Sequence, residues 1–414
     1  MQPIAATHDC LVMGGGPAGS TVAALVAQAG FRVLLVEREA EFRSRVGESL
    51  MPESYWIFER LGVLDQLRHS RYAKKVGVQF VNHTGKESAP FFFRSHDDRD
   101  CSQTWHVDRA TFDPMLLDNA AAKGADCRLA TRVLDVRFDG ERATGAKLQQ
   151  AGAEAQEVAA RVIVDATGQQ ALLAGRLGLR RMNSDLCKAA IWGHFRGGRR
   201  DEEGGGVKTV ILHTAQKKSW FWYIPQSEDI VSVGVVGDRD YLLKQREKID
   251  QTFSEELRNC RLLTEWLTEA EPVDALQVAK EFSYTTERSV GDGWVLVGDA
   301  WGFIDPIYSS GVFFAMKSAE LAADCVVDGL RRDETSAAAL GAWLPQFSRQ
   351  TGLIRKLVQA YYSGEFRVGL FVQDYPQHRD ELIDLLVGRI FDDRPRRLFD
   401  DLEPWLERRA ASDE

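Results

Sequence analysis

Two stretches of this chain carry residues whose types and spacing point to chemistry. The first is Gly14-Gly15-Gly16-Pro17-Ala18-Gly19, set between a short apolar run (Asp9 to Met13) and an Ala-rich run with helical spacing from Pro17 to Ala29. Glycines there let the backbone turn tightly and approach a pyrophosphate, whose charge the helix N-terminus attracts. A second apolar run, Phe31 to Val36, ends in Glu37. Glu37 follows Gly16 by about the 20 residues expected of an acid that binds ribose hydroxyls. Strand, Gly-rich turn, helix, strand and acid, in that order, predict a nucleotide-binding βαβ unit, with Arg38 beside the acid as a further contact. The second stretch is Trp220-Phe221-Trp222-Tyr223-Ile224-Pro225. On a strand, Trp220, Trp222 and Ile224 share one face, and Phe221 and Tyr223 the other. Alone, such a strand reads as core or interface packing, because aromatics bury large apolar areas.

The elements that position these residues need a long chain, and 414 residues suffice for two or three domains. Apolar content of 44% and charged content of 27% are those of a globular protein. A net charge of −9 argues against nucleic acid as a partner. Six scattered cysteines without a C-x-x-C pair fit free thiols in a reducing cytoplasm and no metal site. Met1 to Ala6 lacks the basic and apolar regions of a signal peptide, and no apolar run approaches the ~18 residues of a spanning helix. The tail from Arg408 to Glu414 is expected to fray.

Further segments extend the nucleotide site. Val162-Ile163-Val164-Asp165-Ala166-Thr167-Gly168 and Trp294-Val295-Leu296-Val297-Gly298-Asp299-Ala300 are apolar strands ending in turns. Val107 to Asp113 precedes a helix from Phe112 to Ala122, with Arg109 ahead of it and Asp108 and Asp113 as its candidate surface ion-pair partners. Val46-Gly47-Glu48-Ser49-Leu50-Met51-Pro52 reads as a turn before a helix capped by Ser54. Lys75-Val76-Gly77-Val78-Gln79-Phe80 alternates like an edge strand, so Lys75 stands where a loop enters a sheet and Lys74 points to the other side. Asp305-Pro306-Ile307-Tyr308-Ser309-Ser310-Gly311 opens a helix, whose N–H groups suit an anion.

Taken in order, these motifs resemble the flavin-dependent halogenases, within the larger flavoprotein monooxygenase group. The resemblance spans residues 14 to 311, about three quarters of the chain. It implies FAD at Gly14, Gly16, Pro17, Ala18, Gly19, Glu37, Arg38, Glu48, Ser49, Arg109, Asp165, Gly168, Gly298, Asp299, Pro306, Ser310 and Gly311. It implies chloride or bromide at Ser309, Ser310 and Gly311. It makes Lys75 the catalytic lysine, with Trp220 and Trp222 lining the gap between flavin and substrate. Reduced FAD would come from a separate flavin reductase, and the halogen would be presented by Lys75 to an electron-rich aromatic carbon. Lysine suits that role, being a cationic donor when charged and a nucleophile when neutral.

The pattern departs from the tryptophan-type members at Tyr308, where those carry a glutamate. The resemblance is therefore to the branch acting on phenols or pyrroles, sometimes presented on a carrier protein. Two alternatives stay open at this point: an FAD-dependent aromatic hydroxylase, and a reductase of isoprenoid double bonds similar to geranylgeranyl reductase. A flavoprotein without turnover has no positive support in the residues.

The expected fold class is α/β: a discontinuous FAD-binding Rossmann-like domain (1–75, 105–185 and 275–335) with an antiparallel substrate sheet (76–104 and 186–274). Within that sheet, runs at Ala189–Phe195, Val207–His213, Ser219–Pro225 and Ile230–Val236 alternate like antiparallel strands. Residues 336–414, rich in helix formers and aromatics, are expected to form a small helical cap. That cap either covers the substrate cavity or is a packed bundle with no direct role.

Overall fold

The computed structural model describes residues 4–227, 229–244, 248–280, 283–364, 366, 368–391 and 397–410. The nucleotide unit forms as the sequence predicts. Strand Thr7–Met13 leads through the glycine turn into helix Pro17–Gln28 and then strand Val33–Val36. Five strands run parallel in the order Trp294–Leu296, Gln156–Asp165, Thr7–Met13, Val33–Val36, Asp126–Arg128. A hairpin, Thr131–Asp139 with Arg142–Gln150, extends the sheet antiparallel from Gln156–Asp165.

The first helix is buried along nearly its whole length, which accounts for its small residues. A Cβ at Gly19 would lie 1.9 Å from the Gly14 carbonyl oxygen, so only glycine allows helix and strand to approach this closely. Gly14 itself takes φ +107°, a conformation glycine adopts without steric cost.

A second, nine-stranded sheet holds the tryptophan strand Ser219–Pro225 between Ile230–Asp238 and Val207–His213. Lys188–Arg196 follows beyond Ile230–Asp238, and Ala73–Val81 runs parallel to Val207–His213. Gln277–Lys280 also pairs with Lys188–Arg196, so this sheet continues past residue 275.

Alternation in these strands separates two buried faces: Ser219–Pro225 is buried at every position. Both faces are covered. Trp220, Trp222 and Ile224 pack into the central core, which extends through the nucleotide domain and the C-terminal helices. Phe221 and Tyr223 pack into a separate core that includes Phe253, Leu263 and Trp266, on helices Ile249–Arg258 and Arg261–Trp266. At about 1.5–3 kcal/mol for each fully buried large apolar side chain, this strand is a principal source of cohesion.

The C-terminal region is helical, with Leu344–Tyr362 and Arg379–Val387 packed on the core. Its last helix runs Leu398–Ala410; residues 411–414 of the tail expected to fray lie outside the described residues. No helix among the described residues is long and apolar enough to cross a membrane.

Candidate active site

A cavity of about 930 Å³ opens at the C-terminal ends of the parallel strands. It lies at the upper end of the ~300–1,000 Å³ usual for ligand sites. Gly14, Gly16, Pro17, Ala18, Glu37, Arg38, Arg109, Gly168, Asp299 and Gly311 line it, as the sequence reading expected. Helix Pro17–Gln28 points its N-terminus into this cavity with no side-chain cap and no acid in its first turn, leaving its positive end for an anion. Glu37 accepts from the Gly15 N–H at 2.8 Å and the Glu39 N–H at 2.9 Å, which fixes its carboxylate at the rim. Arg38 donates to Gln170 at 2.9 Å.

Arg109 is buried. It donates through Nε and Nη2 to Asp113 at 2.6 and 2.8 Å, and through Nη1 to the Val46 carbonyl at 2.9 Å. The ion pair considered from sequence is real, yet it is buried and forms part of the cavity wall. Asp108 instead caps the helix through the Ala110 N–H. Burial pushes the Asp299 carboxyl up to about 6, with the Arg109 charge pulling it back.

Other residues from the sequence reading lie elsewhere. Asp165 is consumed by its own turn: Oδ1 accepts from the Thr167 N–H and hydroxyl, and Oδ2 from the Leu173 N–H. It shapes the turn whose Ala166, Thr167 and Gly168 reach the cavity. Gly19 and Gly298 also stand behind the cavity wall; the Gly298 N–H donates to Ser318 Oγ. Pro306 accepts from the Ser309 N–H. Ser310 is buried at the N-cap of helix Gly311–Arg332, and its side chain makes no capping bond. Ser54 is the first residue of helix Ser54–Leu61, not its cap, and its hydroxyl has no partner among the described residues.

Glu48 and Ser49 turn away from the cavity toward the second sheet. The segment Val46–Leu50 crosses that sheet as a strap. Glu48 accepts from His194 at 2.6 Å and Gln226 at 2.5 Å. Ser49 bonds Thr209 at 2.8 Å, and the Leu50 carbonyl accepts from Lys75 Nζ at 2.9 Å. Successive residues of the strap thus bond three different strands.

Lys75 is buried inside the sheet, not at its edge. Its strand lies between Val207–His213 and the short strands Phe91–Phe92 and Thr104–His106. The register with Val207–His213 slips here: Val207 faces Lys75, but Lys208 faces Gly77. Such a bulge re-aims a side chain, and here Lys75 turns toward Leu50 and the Phe93 ring, 5.4 Å from Nζ. Gly77 is required because a Cβ there would meet the Phe91 carbonyl oxygen at 2.3 Å. Burial pushes the Lys75 amine down to about 7. Lys74 is exposed on the other side.

The structure does not bring Lys75 and the tryptophans into contact. Trp222 faces Ile211, and Ile211 faces Phe80. At ~3.3 Å per residue, Lys75 is roughly 17 Å further along the sheet from that level. Between the two ends lies His106, which bonds the Pro225 carbonyl at 2.6 Å and Thr209 Oγ1 at 2.8 Å. Burial, with help from the Lys75 charge, pushes this imidazole down to about 3, so it is neutral.

At the far end, Trp220 Nε1 donates to the Tyr362 hydroxyl at 3.0 Å, and Tyr362 donates to Asp305 at 3.1–3.2 Å. Burial pushes the Asp305 carboxyl up to about 7, against hydrogen bonds from Ile307 and Tyr362. Helix Leu344–Tyr362 of the C-terminal region therefore contributes directly to the tryptophan end. Asp305 stood inside a recognised motif but was given no role there, and nothing local in the sequence marks His106, His194, Thr209 or Tyr362.

The FAD binding domain family matches residues 7–327. The 1H-pyrrole-2-carbonyl-(peptidyl-carrier protein) chlorinase of Pseudomonas fluorescens is 30% identical over 95% of this chain and 92% of its own. The corresponding brominase of Pseudoalteromonas luteoviolacea is 30% identical over 93% of each chain. The solved flavin-dependent brominase Bmp2 superposes with a TM-score of 0.87 at 28% identity, over 98% of this chain and 100% of that one. The cavity fits the cofactor on its own terms: an uncapped helix end for the pyrophosphate, an acid at the ribose position, and a volume that takes a dinucleotide. With these matches running over nearly its whole length, the chain belongs to the flavin-dependent halogenases, which are FAD-dependent oxidoreductases.

Proposed function

We propose that this protein halogenates a pyrrole, or a similarly electron-rich ring, presented on a carrier protein, using FAD reduced by a separate flavin reductase in the cytoplasm. The observation that carries the reading is Lys75, a buried amine whose one hydrogen bond among the described residues is to the Leu50 carbonyl. Both pyrrole-acting relatives and the tyrosine at position 308 support a pyrrole over an indole. Six free thiols fit a reducing compartment.

Bound reduced FAD supplies the oxygen chemistry that converts halide to an electrophilic halogen. The chain does the rest. Gly14, Gly16, Pro17 and Ala18 hold the pyrophosphate, Glu37 the ribose, and Arg109 and Asp299 the central part of the cofactor. Ser309, Ser310 and Gly311 would hold halide at the start of a 22-residue helix that carries no side-chain cap and no acid in its first turn. The face of Trp220, Trp222 and Ile224 gives an apolar, water-excluding track toward the Lys75 end. Near neutral pH, Lys75 has access to both forms, an ammonium that donates a hydrogen bond and an amine that accepts halogen.

The test is to mix photoreduced, FAD-loaded protein with oxygen, bromide and a pyrrolyl thioester on a carrier protein. Brominated thioester supports the reading. Oxygen consumption with hydroxylated or unchanged ring, in the presence of bromide, rules it out.

A further inference from the structure

A second cleft of about 990 Å³ lies beside the FAD cavity, on the far side of the strap. Asp274, His194, Gln226 and Tyr72 are among its walls. His194 is buried between two carboxylates. Its Nε2 lies 2.6 Å from Glu48 Oε1, and its Nδ1 lies 2.8 Å from Asp274 Oδ2. The His194 backbone N–H also donates to Asp274 Oδ1, at 3.0 Å. Gln226 supplies the second donor to Glu48. Two residues earlier on the same strand, Trp192 lines the FAD cavity. Histidine and cofactor therefore share one strand, with Glu48 reaching that strand from the strap.

The strap holds more than Glu48. Its Val46 carbonyl fixes Arg109 in the FAD cavity, and its Leu50 carbonyl fixes Lys75. We propose that His194, as an imidazolium clamped between Glu48 and Asp274, is a positioning residue that seats the strap and so sets Arg109 and Lys75 for halogenation together. A strap pinned at its middle residue has little freedom at either end. Without the cation, Glu48 is left as a buried carboxylate held by one neutral amide, a costly arrangement that favours withdrawal of the strap from the sheet.

The groups facing the imidazole are Glu48 from the strap and Asp274 from the loop before Gln277–Lys280; its partner across the strand pair is the neutral Ser232. Burial pulls the imidazole down, but the hydrogen bonds and charges of the two carboxylates outweigh it and hold it up at about 9. The seating is therefore complete below about 6.5, the unfolded value, persists through neutrality, and is lost as pH rises through about 9.

The experiment is FAD titration by fluorescence quenching from pH 7 to 10, for the natural protein, His194→Gln, Glu48→Gln and the double variant, with urea unfolding of each as a control. The expected result is a tenfold or larger loss of FAD affinity in His194→Gln at pH 7. The natural protein reaches the same loss only above pH 9, and His194→Gln shows no such step. Glu48→Gln removes the buried charge that needs the cation, so adding His194→Gln to it costs little. NMR titration of the Lys75 amine in the FAD-free protein gives a second readout, expected to shift in His194→Gln. The proposal is overturned if His194→Gln lowers stability alone, leaving FAD affinity, its pH step and the Lys75 titration unchanged. It is also overturned if the two substitutions are simply additive. It does not depend on which ring is halogenated.

Discussion

Lys75 and Arg109 are held by one short segment of backbone. The Leu50 carbonyl accepts from Lys75 and the Val46 carbonyl from Arg109, each at 2.9 Å. A residue assigned to the halogenation end and a residue of the FAD cavity thus share a support five residues long. Displacing that segment would move the acceptors of both residues at once, whereas replacing one side chain leaves the other's acceptor in place.

Lys75 carries a stability signature of its own. Burial holds its folded value at about 7, below the 10.5 of an ordinary lysine. Between those values the unfolded chain binds a proton that the folded chain does not, so this residue's contribution to stability becomes more favourable as pH rises from about 7 to 10.5. Urea unfolding of the natural protein and Lys75→Met across that range should show the variant's advantage, largest at pH 7 and below, shrinking toward pH 10. A constant difference would mean that the lysine titrates normally.

Asp305 shows the opposite sign. Its folded value, about 7, lies above the ordinary 3.8. Its contribution is fully present below about 4 and is lost as pH rises through 7. Tyr362→Phe removes a donor to this carboxyl and the acceptor of Trp220. The expected cost is about 1–3 kcal/mol at neutral pH, smaller at pH 4.5 where Asp305 is protonated. Unfolding curves at the two pH values test this.

Arg109 and Asp113 form a buried pair. Arg109→Leu leaves Asp113 without its partner and should cost about 3–5 kcal/mol. Arg109→Leu with Asp113→Leu should recover much of that stability while FAD binding stays weak, since the cavity wall has lost its cation. Calorimetry and FAD titration separate the two effects.

Gly16 and Gly19 give a sharper contrast. A Cβ at Gly16 meets nothing within 4 Å, whereas one at Gly19 strikes the Gly14 carbonyl. Gly16→Ala should leave the FAD-free protein within about 0.5 kcal/mol of the natural one, yet weaken FAD binding at a wall of the cavity. Gly19→Ala should destabilise the FAD-free protein by more than 2 kcal/mol, because helix and strand must separate. Thermal unfolding without FAD, then with it, distinguishes them.

Much of this site was legible in the sequence because its motifs are local. Glycines at close approaches, an acid at the end of a strand and a lysine before a glycine each have a physical reason within a few residues. Lys75-Val76-Gly77 illustrates it: glycine admits the Phe91 carbonyl, and the bulge aims the lysine. The expected edge strand was wrong because Phe91–Phe92 and Thr104–His106 pair with it from later in the chain, which alternation cannot reveal. Glu48, Ser49 and Asp165 were placed at the cofactor on motif position alone, whereas their side chains are taken by His194, Thr209 and the turn before Leu173. His106, His194 and Tyr362 carry no local signal because their partners lie between 57 and 146 residues away in the chain. The face alternation of the tryptophan strand holds, with Trp220, Trp222 and Ile224 in one core and Phe221 and Tyr223 in another.

Whether Lys75 carries the halogen step is decided by Lys75→Met. FAD-loaded variant and natural protein are reduced, then given oxygen, bromide and the pyrrolyl carrier substrate. The variant should keep its FAD affinity and oxygen consumption while brominated product falls by about 100-fold or more, as for loss of a positioned proton-transfer or nucleophilic group. Brominated product at the natural rate would contradict that role and move the chemistry away from the strap.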